Sequence, residues 1–414
     1  MNDLHAVDPE IASAIEDEAA SQAMTLELNA AANFSTAAVL DVQGSVLAHR
    51  TLEGYPGARY HGGHRQADII EKIAVERAKR LFGADHANVQ PHCGTNANLA
   101  VYFAALEPGD TILGMALASG GHLSHGHKAS FSGKYFRSFS YGVNPETEII
   151  DYDAARDIAL RVKPKLVICG ASSYPKVIDF RRFREIADEA GACLLADIAH
   201  VAGLVAGKVY PSPVPLADFV TFTGYKTLQG SRGGIILCKK TYARKIDSAV
   251  FPGIQGSMHL NLMAGKAVTF RLASTDAFKA YAGKVIENAR ALAAALKDRG
   301  YRIVCGGTDT HIVLLDLRSK GLTGVAAQES LENVGITCNK NAIPFDPLGP
   351  EVTSGLRLGT GAVTTRGLSV PEMGKLADLI DRVLSKPSSK TEKQMARDQV
   401  RDMCRHFPLQ FSRP

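Results

Sequence analysis

The sequence predicts an α/β fold with a large domain built on a mostly parallel sheet of the seven-stranded type, followed by a smaller C-terminal α+β domain. Continuously apolar runs such as "KPKLVICGAS" (163–172) and "ACLLADIAH" (192–200) alternate with helical segments. This alternation is typical of parallel strands whose two faces are covered by helices. From Asp276 the pattern changes to helix, two strands, helix, a short strand and a final helix near 371–384, which predicts a second domain.

Each element of the large domain follows from its local pattern. Residues 31–64 are rich in Gly, Ala and Tyr and predict an irregular arm, and the amphipathic spacing after it predicts a helix over 67–81. Further helices are expected at 178–191, where Gly191 ends the periodic run, and around 258–274. The remaining predicted strands are "GDTILGMAL" (109–117), "ADFVTFTGYK" (217–226) and "GGIILCKK" (233–240).

Three parts are therefore predicted along the chain. Residues 1–30 form an N-terminal helix and arm, residues 31–275 the large domain, and residues 276–414 the small C-terminal domain. In the small domain, "YRIVCGG" (301–307) and "HIVLLDL" (311–317) predict strands. The polar stretch 386–394 is expected to be loosely held, whereas "VRDMCRHFPLQF" (400–411) is a segment that can dock again on the domain.

Composition excludes several classes of protein. The 414 residues are 45% hydrophobic and 21% charged, as in ordinary globular proteins, and the net charge of +5 is scattered, so no nucleic-acid surface is expected. The seven cysteines are widely spread without a Cys-x-x-Cys pair. They predict reduced core thiols in a reducing compartment, the cytoplasm. The acidic N-terminus lacks the apolar region of a signal peptide, and no membrane span or metal site is expected.

Several reactive side chains fall at the carboxyl ends of predicted parallel strands, where ligands of such sheets bind. Asp197 and His200 end one strand, Lys226 ends another and Ser172 ends a third. Earlier in the chain, "PHCGTNAN" (91–98) leads into a helix. Its backbone amides and threonine hydroxyl suit a phosphate at a helix N-terminus.

A strand-end lysine, a strand-end carboxylate and a Gly-Thr phosphate site together indicate pyridoxal 5′-phosphate. The lysine links covalently to the aldehyde of this cofactor, and the carboxylate keeps its pyridine nitrogen protonated. The stretch "GGHLSHG" (120–126) adds His122, whose imidazole can stack on the ring. Each residue alone is commonplace, and the ordered set carries the prediction.

The motifs resemble those of the serine hydroxymethyltransferases, which are pyridoxal-phosphate enzymes of fold type I. The resemblance runs from about residue 25 to residue 385. It includes "EGYPGARY", "GGHLSHG", "ADIAHVAGLVA", "GYKTLQGSRGG", "FPGIQG", "GGTDTH" and "VTSGLRLGT". It implies transfer of a hydroxymethyl group between a serine-type amino acid and tetrahydrofolate as a co-substrate.

By position, the resemblance assigns the cofactor site. Lys226 would carry the cofactor, Asp197 would pair with its ring nitrogen, His122 would stack on the ring and His200 would lie near its 3′ oxygen. Glu53 would be the acid–base carboxyl. The implied cofactor-binding residues are Cys93, Gly94, Thr95, His122, Ser172, Asp197, His200, Thr223, Lys226, Gly256 and Ser257. Cys93, Gly94 and Thr95 replace the usual Ser-Gly-Ser, and Ser257 replaces the second glycine of the usual "FPGIQGG".

The same alignment of motifs assigns the substrates. Arg357 would clamp the amino-acid carboxylate through two parallel hydrogen bonds. The implied substrate-binding residues are Ala31, Thr51, Glu53, His61, Tyr225 and Arg357. The implied folate-binding residues are Glu53, Tyr60, Leu117, Gly121, Leu123 and Asn341. The segment "FPGIQG" implies a homodimer, or a dimer of dimers, with active sites at the subunit interface.

Four departures from the family pattern concern the amino-acid pocket. The usual Leu-Ile-Ala-Ser-Glu-Asn reads "LNAAAN" (28–33), so that Ala31 replaces a serine. Thr51 and His61 each replace a tyrosine, and Tyr225 replaces the histidine before the lysine. Removing two phenol rings opens space at the substrate's Cα, which 2-methylserine and D-alanine need and serine and glycine do not. Discrimination of one methyl group is worth about 1–3 kcal/mol.

This pattern resembles the 2-methylserine (D-alanine) hydroxymethyltransferase branch of the family. Three alternatives stay open. The chain can be an ordinary serine hydroxymethyltransferase in which these positions have drifted. It can be a folate-independent aldolase or threonine transaldolase, although the retained folate positions weigh against that. A catalytically silent folate- or RNA-binding relative is disfavoured, because Lys226, Asp197 and Arg357 are all present.

Overall fold

The computed structural model describes residues 2–409 and arranges them mainly as helices around two sheets. The helices are α1 (Asn2–Val7), α2 (Pro9–Ala23), α3 (Ala37–Gln43), α4 (Arg65–Phe82), α5 (Gly94–Ala105), α6 (Phe131–Tyr135), α7 (Tyr152–Val162), α8 (Phe180–Ala190), α9 (Ala202–Ala206), α10 (Ala243–Ser248), α11 (Leu260–Ala273), α12 (Asp276–Asp298), α13 (Gly324–Glu332), α14 (Gly361–Arg366), α15 (Val370–Ser385) and α16 (Lys390–His406).

The strands form the two main sheets and two pairs of short segments, Leu26–Glu27 with Ile336–Thr337 and Gly54–Tyr55 with Ala58–Arg59. They are β1 (Leu26–Glu27), β2 (Gly54–Tyr55), β3 (Ala58–Arg59), β4 (His86–Asn88), β5 (Thr111–Met115), β6 (Arg137–Tyr141), β7 (Leu166–Gly170), β8 (Cys193–Asp197), β9 (Phe219–Thr223), β10 (Gly234–Cys238), β11 (Arg302–Ile303), β12 (Ile312–Asp316), β13 (Ile336–Thr337), β14 (Asn339–Asn341) and β15 (Gly355–Gly359).

The large sheet has seven strands in the order β4-β10-β9-β8-β7-β5-β6. Strands β6, β5, β7, β8 and β9 run parallel, whereas β10 is antiparallel to both of its neighbours, β9 and β4. The sheet is therefore mixed: the expectation of a mostly parallel sheet holds for the other six strands, and β10 is the antiparallel exception. The reason is local: β10 follows β9 through a short loop without a crossover helix, and such a connection joins antiparallel strands.

Alternate residues of the central strands enter two apolar layers, one on each face of the sheet. On one face lie Val167, Leu194 and Phe222, packed with α4, α8 and α11. On the other face lie Ile168, Leu195 and Phe219, packed with α5 and α10. Both faces of the sheet are covered by apolar side chains, which is why these strands are continuously apolar in sequence. The carboxyl ends of β7, β8 and β9 consequently stand side by side at one edge.

A second sheet, in the order β11-β12-β15-β14, forms the centre of the C-terminal part. Its core includes residues of α12, α13, α15 and α16. The predicted strand 301–307 is confirmed only at Arg302–Ile303, because the chain then turns through Cys305 and Gly306, both of which have positive φ. The predicted strand 311–317 is confirmed as β12.

The N-terminal arm contributes to this C-terminal core. Residues 1–30 were predicted to form a helix and an arm; α2 ends at Ala23, and Leu26–Glu27 in the arm pair in parallel with Ile336–Thr337. Leu26 and Leu28 are fully buried there. The arm changes from helix to strand because β13 offers it a free edge.

The expectation of a loosely held segment at 386–394 is wrong for its second half. Helix α16 begins at Lys390 after the cap residue Ser389, whose hydroxyl accepts a hydrogen bond from the amide of Glu392. Its residues Ala396, Val400 and Cys404 are buried, so the segment expected to dock does so up to residue 409. Residues 410 and 411 lie outside the described range.

Arg366 ties both chain ends to the C-terminal part. Its guanidinium donates to the backbone oxygens of Gln22, Ala23, Thr25, Cys404 and Phe407. Those oxygens end α2 and α16, where backbone carbonyls lack intrahelical donors. One side chain therefore supplies hydrogen-bond donors to the C-terminal ends of two helices, α2 and α16, and holds these two segments together.

Within residues 2–409, no helix is both long and apolar enough to cross a membrane. Over the same range, His, Cys, Asp and Glu side chains form no group of three or more that could hold a metal ion.

Candidate active site

A pocket lies at the edge where β7, β8 and β9 end, opposite the N-terminus of α5. It combines segments that are far apart in sequence. Its lining residues are Cys93, Gly94, Thr95, Asn98, His122, His125, Ala171, Ser172, Asp197, Ala199, His200, Thr223, Tyr225 and Lys226. Most of the sequence-predicted cofactor residues are among them, so the structure brings these residues together.

Lys226 lies in the loop that follows β9 and is 8% exposed. Burial, supported by the charge of Arg357 and opposed by Asp197, lowers the pKa of its amine to about 8. A large fraction of the amine is then neutral in mildly alkaline solution, as a nucleophilic lysine requires. Its backbone is fixed as well, since the side-chain amide of Asn33 donates to the Lys226 carbonyl at 2.9 Å.

The loop around Lys226 needs glycine at its start. A Cβ on Gly224 would meet the backbone oxygen of Ser231 at 2.4 Å, so no larger residue fits there. The amide of Gly230 bonds the carbonyl of Gly224 at 2.8 Å and closes the loop. Tyr225 points along the same loop, with the Arg232 guanidinium 4.2 Å from its ring centroid. The loop is thus a tight, internally braced support for the lysine.

Asp197 is held as an anion at the end of β8. Its Oδ2 accepts from His125 Nε2 and from Asn98 Nδ2, both at 2.9 Å. Burial opposes ionisation, but the hydrogen bond from His125, aided by that from Asn98, holds the pKa of Asp197 well below its usual range. Thr221 fixes Asn98 in turn, by donating to its side-chain oxygen at 2.6 Å. The pocket therefore contains a permanent negative charge suited to a protonated ring nitrogen.

His122 presents a neutral ring to the pocket. Burial and the neighbouring His125 lower the pKa of His122 to about 4. Its Nδ1 accepts from the backbone amide of Ser124 at 3.2 Å, which leaves the second ring nitrogen to carry the proton. A neutral imidazole with one edge anchored is suited to stacking on a flat, electron-poor ring.

The N-terminus of α5 faces the pocket with Cys93 as the residue that precedes the helix and Gly94 as its first residue. A Cβ on Gly94 would stand 2.8 Å from Cγ2 of Thr223, so the close approach of these segments requires glycine. Among residues 2–409, the buried hydroxyl of Thr223 finds no hydrogen-bond partner. Helix amides and a free hydroxyl are donors that a phosphate accepts.

His200 is 4% exposed and stacks on His311, with ring centroids 5.7 Å apart. Burial, followed by the charges of Lys226 and Arg357, lowers the pKa of His200 far below its usual value. Its Nδ1 is buried and has no partner within the described chain. His311 anchors the stack by donating from Nε2 to the Ala30 carbonyl at 3.1 Å.

Arg357 on β15 is a buried cation at the junction of the two sheets. Its Nη1 donates to the carbonyl of Ser172 at 2.6 Å, and its Nε donates to Oδ1 of Asn339 at 2.9 Å. Burial lowers its pKa to about 10. No carboxylate of residues 2–409 forms an ion pair with it. A buried, charged and uncompensated guanidinium is a binding site for a small carboxylate.

Six further predicted residues form a second group, which we call the Glu53 cluster: Thr51, Glu53, Tyr60, His61, Gly256 and Ser257. His61 Nε2 lies 3.5 Å from Glu53 Oε2, and Ser257 Oγ accepts from the amide of Leu52 at 2.8 Å. A Cβ on Gly256 would stand 3.5 Å from Glu53 Oε1. None of the cluster's residues lines the Lys226 pocket of the same chain. The structure therefore does not bring Thr51 and His61 beside Lys226 within one described chain.

The other predicted contacts, Ala31, Leu117, Gly121, Leu123 and Asn341, are not among the residues that line the pocket. Leu117 and Leu123 are 41% and 48% exposed on either side of Gly121, and Asn341 is half-buried on β14. Ala31 is half-buried in the arm, next to Ala30, whose atoms lie 2.4–2.9 Å from where a Cβ on Gly359 would stand. Exposed leucines beside a polar pocket can contact a flat aromatic ligand.

Sequence reasoning missed three residues that orient the predicted ones. His125 and Asn98 hold Asp197, and Asn339 holds Arg357. The second histidine of "GGHLSHG" was the available signal for His125. Asn98 lies one helical turn after Gly94 on the same face of α5, and Asn339 is the direct cross-strand neighbour of Arg357. Looking for polar residues one helical turn from Gly94 and directly across the sheet from Arg357 would have identified Asn98 and Asn339.

The pocket fits pyridoxal phosphate on observations of its own atoms. It contains a buried lysine, a buried ionised carboxylate, a neutral imidazole, and two buried polar atoms, Thr223 Oγ1 and His200 Nδ1, that lack partners within residues 2–409. These groups would hold the aldehyde, ring nitrogen, ring face, phosphate and 3′ oxygen of the cofactor. With the mixed seven-stranded sheet and the second, four-stranded sheet, they define a pyridoxal-phosphate enzyme of fold type I.

Comparison with protein families gives the second step. Residues 4–380 match the family model described as Serine hydroxymethyltransferase. The match covers nearly the whole chain, which therefore belongs to the serine hydroxymethyltransferase family. Enzymes of this family transfer hydroxymethyl groups on serine-type substrates, with pyridoxal phosphate as cofactor and tetrahydrofolate as co-substrate.

Proposed function

We propose that this enzyme interconverts 2-methylserine and D-alanine, with tetrahydrofolate as the one-carbon acceptor. The observation that supports it is the contact between His61 and Glu53, 3.5 Å apart. A smaller residue than the family's tyrosine thus stands directly beside the carboxyl proposed to move protons. Thr51 is a second reduction in volume two residues before Glu53. Together they leave room for a methyl group on Cα.

The roles proposed for the pocket follow from its charges. Arg357 binds the substrate carboxylate and thereby fixes which Cα bond faces the cofactor. When bound, the cofactor supplies the electron sink that accepts the pair released as the Cα–Cβ bond breaks. Asp197 maintains the positive charge that makes this possible. Cβ leaves at the oxidation level of formaldehyde for the folate, and Cα gains a proton. Glu53 carries the proton of the substrate hydroxyl.

Tyr225 is the residue most able to refill the opened space, because it lines the pocket. The Arg232 guanidinium lies over its ring at 4.2 Å, and this cation–π contact holds the ring beside the lysine loop. We therefore propose that Tyr225 braces the loop and leaves the space at Cα open.

The substrate proposal is tested with four amino acids: serine, 2-methylserine, D-alanine and threonine, each with and without tetrahydrofolate. The double variant Thr51→Tyr/His61→Tyr is expected to lower kcat/KM for 2-methylserine by about 10–100-fold while changing serine turnover far less, since a ring again fills the methyl site. Tyr135→Phe, at an exposed tyrosine on α6, is the matched control and should change neither.

The alternatives are distinguishable in the same assay. Folate-dependent turnover of serine without turnover of 2-methylserine would identify an ordinary serine hydroxymethyltransferase. Release of acetaldehyde from threonine without folate would identify a transaldolase. Either result would contradict the substrate proposal and leave the assigned cofactor residues untouched.

We further propose a homodimer in which each Glu53 cluster completes the pocket of the partner subunit. The support is the separation described above: the cluster carries predicted acid–base and phosphate residues, yet lies outside the pocket of its own chain. The exposed side chains of Tyr60 and Phe103, 71% and 62% accessible, give the same surface an apolar character. The reduced thiols predicted for Cys169 and Cys238 support a cytoplasmic location for this dimer.

Mixing two inactive variants tests the shared pocket. Lys226→Ala and Glu53→Ala homodimers should each be inactive, but random mixed dimers contain one pocket with both residues intact. The mixture is expected to regain roughly a quarter of the wild-type activity, because half of the dimers are mixed and each has one working site. Sedimentation should show no active monomer. A mixture that stays inactive although subunits exchange, or a fully active monomer, would refute the shared pocket.

A further inference from the structure

Lys266, on α11, is a buried cation that the proposed reaction does not use. It is 3% exposed, and its Nζ donates to the backbone carbonyls of Val89, Pro91 and Gly234 at 2.7, 3.1 and 3.0 Å. No carboxylate in the described part of the chain lies at ion-pair distance. A buried ammonium compensated only by carbonyl dipoles is unusual, since burial of an unpaired charge is costly.

The three carbonyls belong to the two segments that meet at the cofactor pocket. Val89 and Pro91 lie in the stretch that leads to Cys93 and the start of α5. Gly234 is the first residue of β10, directly after the Lys226 loop. The ammonium therefore joins the segment before the predicted phosphate site to the segment after the cofactor lysine, and it does not line the pocket.

The Lys266 side chain fits because the residue beside it, Gly233, has no Cβ. Gly233 has φ +119, and a Cβ there would stand 2.3 Å from Cε and 2.4 Å from Nζ of Lys266. A Cβ on Gly234 would meet the backbone oxygen of Cys93 at 2.3 Å. The glycine pair of "SRGG" is thus required both by Lys266 and by the close contact of β10 with the start of α5.

Because its ammonium already donates to three carbonyls, Lys266 can act on an anion at the start of α5 only through its charge. Burial lowers the pKa of its amine to about 7, with Glu71 and Cys93 acting in the opposite direction. Glu71 is itself engaged by Arg59 and Gln90. Cys93, which precedes α5, is therefore the neighbour that connects Lys266 to the predicted phosphate position. A dianion there would favour the charged form of the lysine.

We propose that Lys266 is a positioning residue for the phosphate end of the cofactor site: it clamps the segment before α5 onto β10 and adds positive charge behind the helix N-terminus. This role rests on the assignment of Cys93, Gly94 and Thr95 to the phosphate. It predicts that Lys266 contributes to the binding of a phosphorylated ligand more than to the binding of the same ligand without phosphate.

The test compares pyridoxal phosphate with pyridoxal on the cofactor-free full-length protein, by titration followed through absorbance. Lys266→Met is expected to weaken pyridoxal phosphate binding by at least about tenfold while pyridoxal binding changes less than about threefold, because only the phosphate interaction depends on the clamp. Lys320→Met is the matched control: Lys320 also donates to a backbone carbonyl, that of Arg299 at 2.6 Å, but lies in the C-terminal part. It should leave both affinities unchanged.

Lys266→Gln separates the hydrogen bonds from the charge and also decides the matter if Lys266→Met does not fold. An amide retains donors for the carbonyls, so this variant should show the same phosphate-selective loss at reduced size. Equal weakening of both ligands, or no change in either, would overturn the proposal. If the wild-type protein itself binds pyridoxal as tightly as pyridoxal phosphate, the phosphate-site assignment is what fails.

Discussion

Lys226→Ala is expected to lose hydroxymethyl transfer by at least about 10³-fold while the protein keeps its fold. The loss has two physical parts. The variant has no amine to link with the cofactor aldehyde. The pocket also loses a base, because burial lowers the pKa of the Lys226 amine to about 8 and leaves part of it neutral in mildly alkaline solution. Removing this buried cation should leave Asp197 ionised, because His125 and Asn98 still donate hydrogen bonds to that carboxylate.

The measurement combines turnover with a covalent label. Borohydride reduction of the wild-type enzyme, followed by peptide mapping, should place the pyridoxyl group on Lys226. Lys239→Ala serves as the control, because Lys239 pairs with Asp218 outside the pocket and should neither lose activity nor change the label. A pyridoxyl group on another lysine, or substantial turnover by Lys226→Ala, would remove Lys226 from its assigned role.

Arg357→Lys is expected to raise KM for the amino acid by about 100-fold or more, with the absorbance of the bound cofactor intact. Lysine keeps the charge but loses the planar fork that binds a carboxylate through two hydrogen bonds. It also loses the bond from Nε to Asn339, which orients the guanidinium. Both losses act on carboxylate binding, so KM should change far more than the cofactor spectrum.

Arg318→Lys is the matched control for this variant. Arg318 belongs to the same C-terminal part, binds Asp316 and is 47% exposed at its side chain, so its replacement should leave KM unchanged. An unchanged KM in Arg357→Lys would show that the substrate carboxylate binds elsewhere. A lost cofactor spectrum would instead show that Arg357 supports the pocket as a whole.

The residues at strand ends could be predicted from sequence because a parallel sheet makes their convergence unavoidable. Ser172, Asp197 and Lys226 follow three strands that are neighbours in the sheet, and each strand ends at the same edge. By contrast, the hydrogen bond from His125 to Asp197 spans 72 positions of the chain and depends on the path of a loop that has no periodic signal. Local patterns carry no information on such a contact.

Two further differences have equally concrete causes. Lys266 occurs in an otherwise apolar run of α11, and the sequence alone does not show that three carbonyls meet its ammonium.

Helix α16 has only Ala396, Val400 and Cys404 as buried residues, so its apolar stripe is narrow. The serine followed three residues later by Glu392 was nevertheless a helix-start signal. The position of the Glu53 cluster could not be predicted for a different reason. The sequence does not show whether these residues lie at the pocket of their own chain or at that of a partner subunit.

The guanidinium of Arg366 has a consequence for how the chain is made. It contacts backbone oxygens 343 and 341 residues earlier and 38 and 41 residues later, so residues at both ends converge on it. During synthesis the N-terminal arm emerges first, but its helix end gains this partner only when the ribosome has added residue 366. The second helix end joins some forty residues later, after Phe407 has been added. The end of α2 therefore gains this partner only after 343 further residues have been added, and closing so long a loop has an entropic cost that grows only slowly with length. A product that stops before residue 366 would therefore leave the end of α2 without this partner.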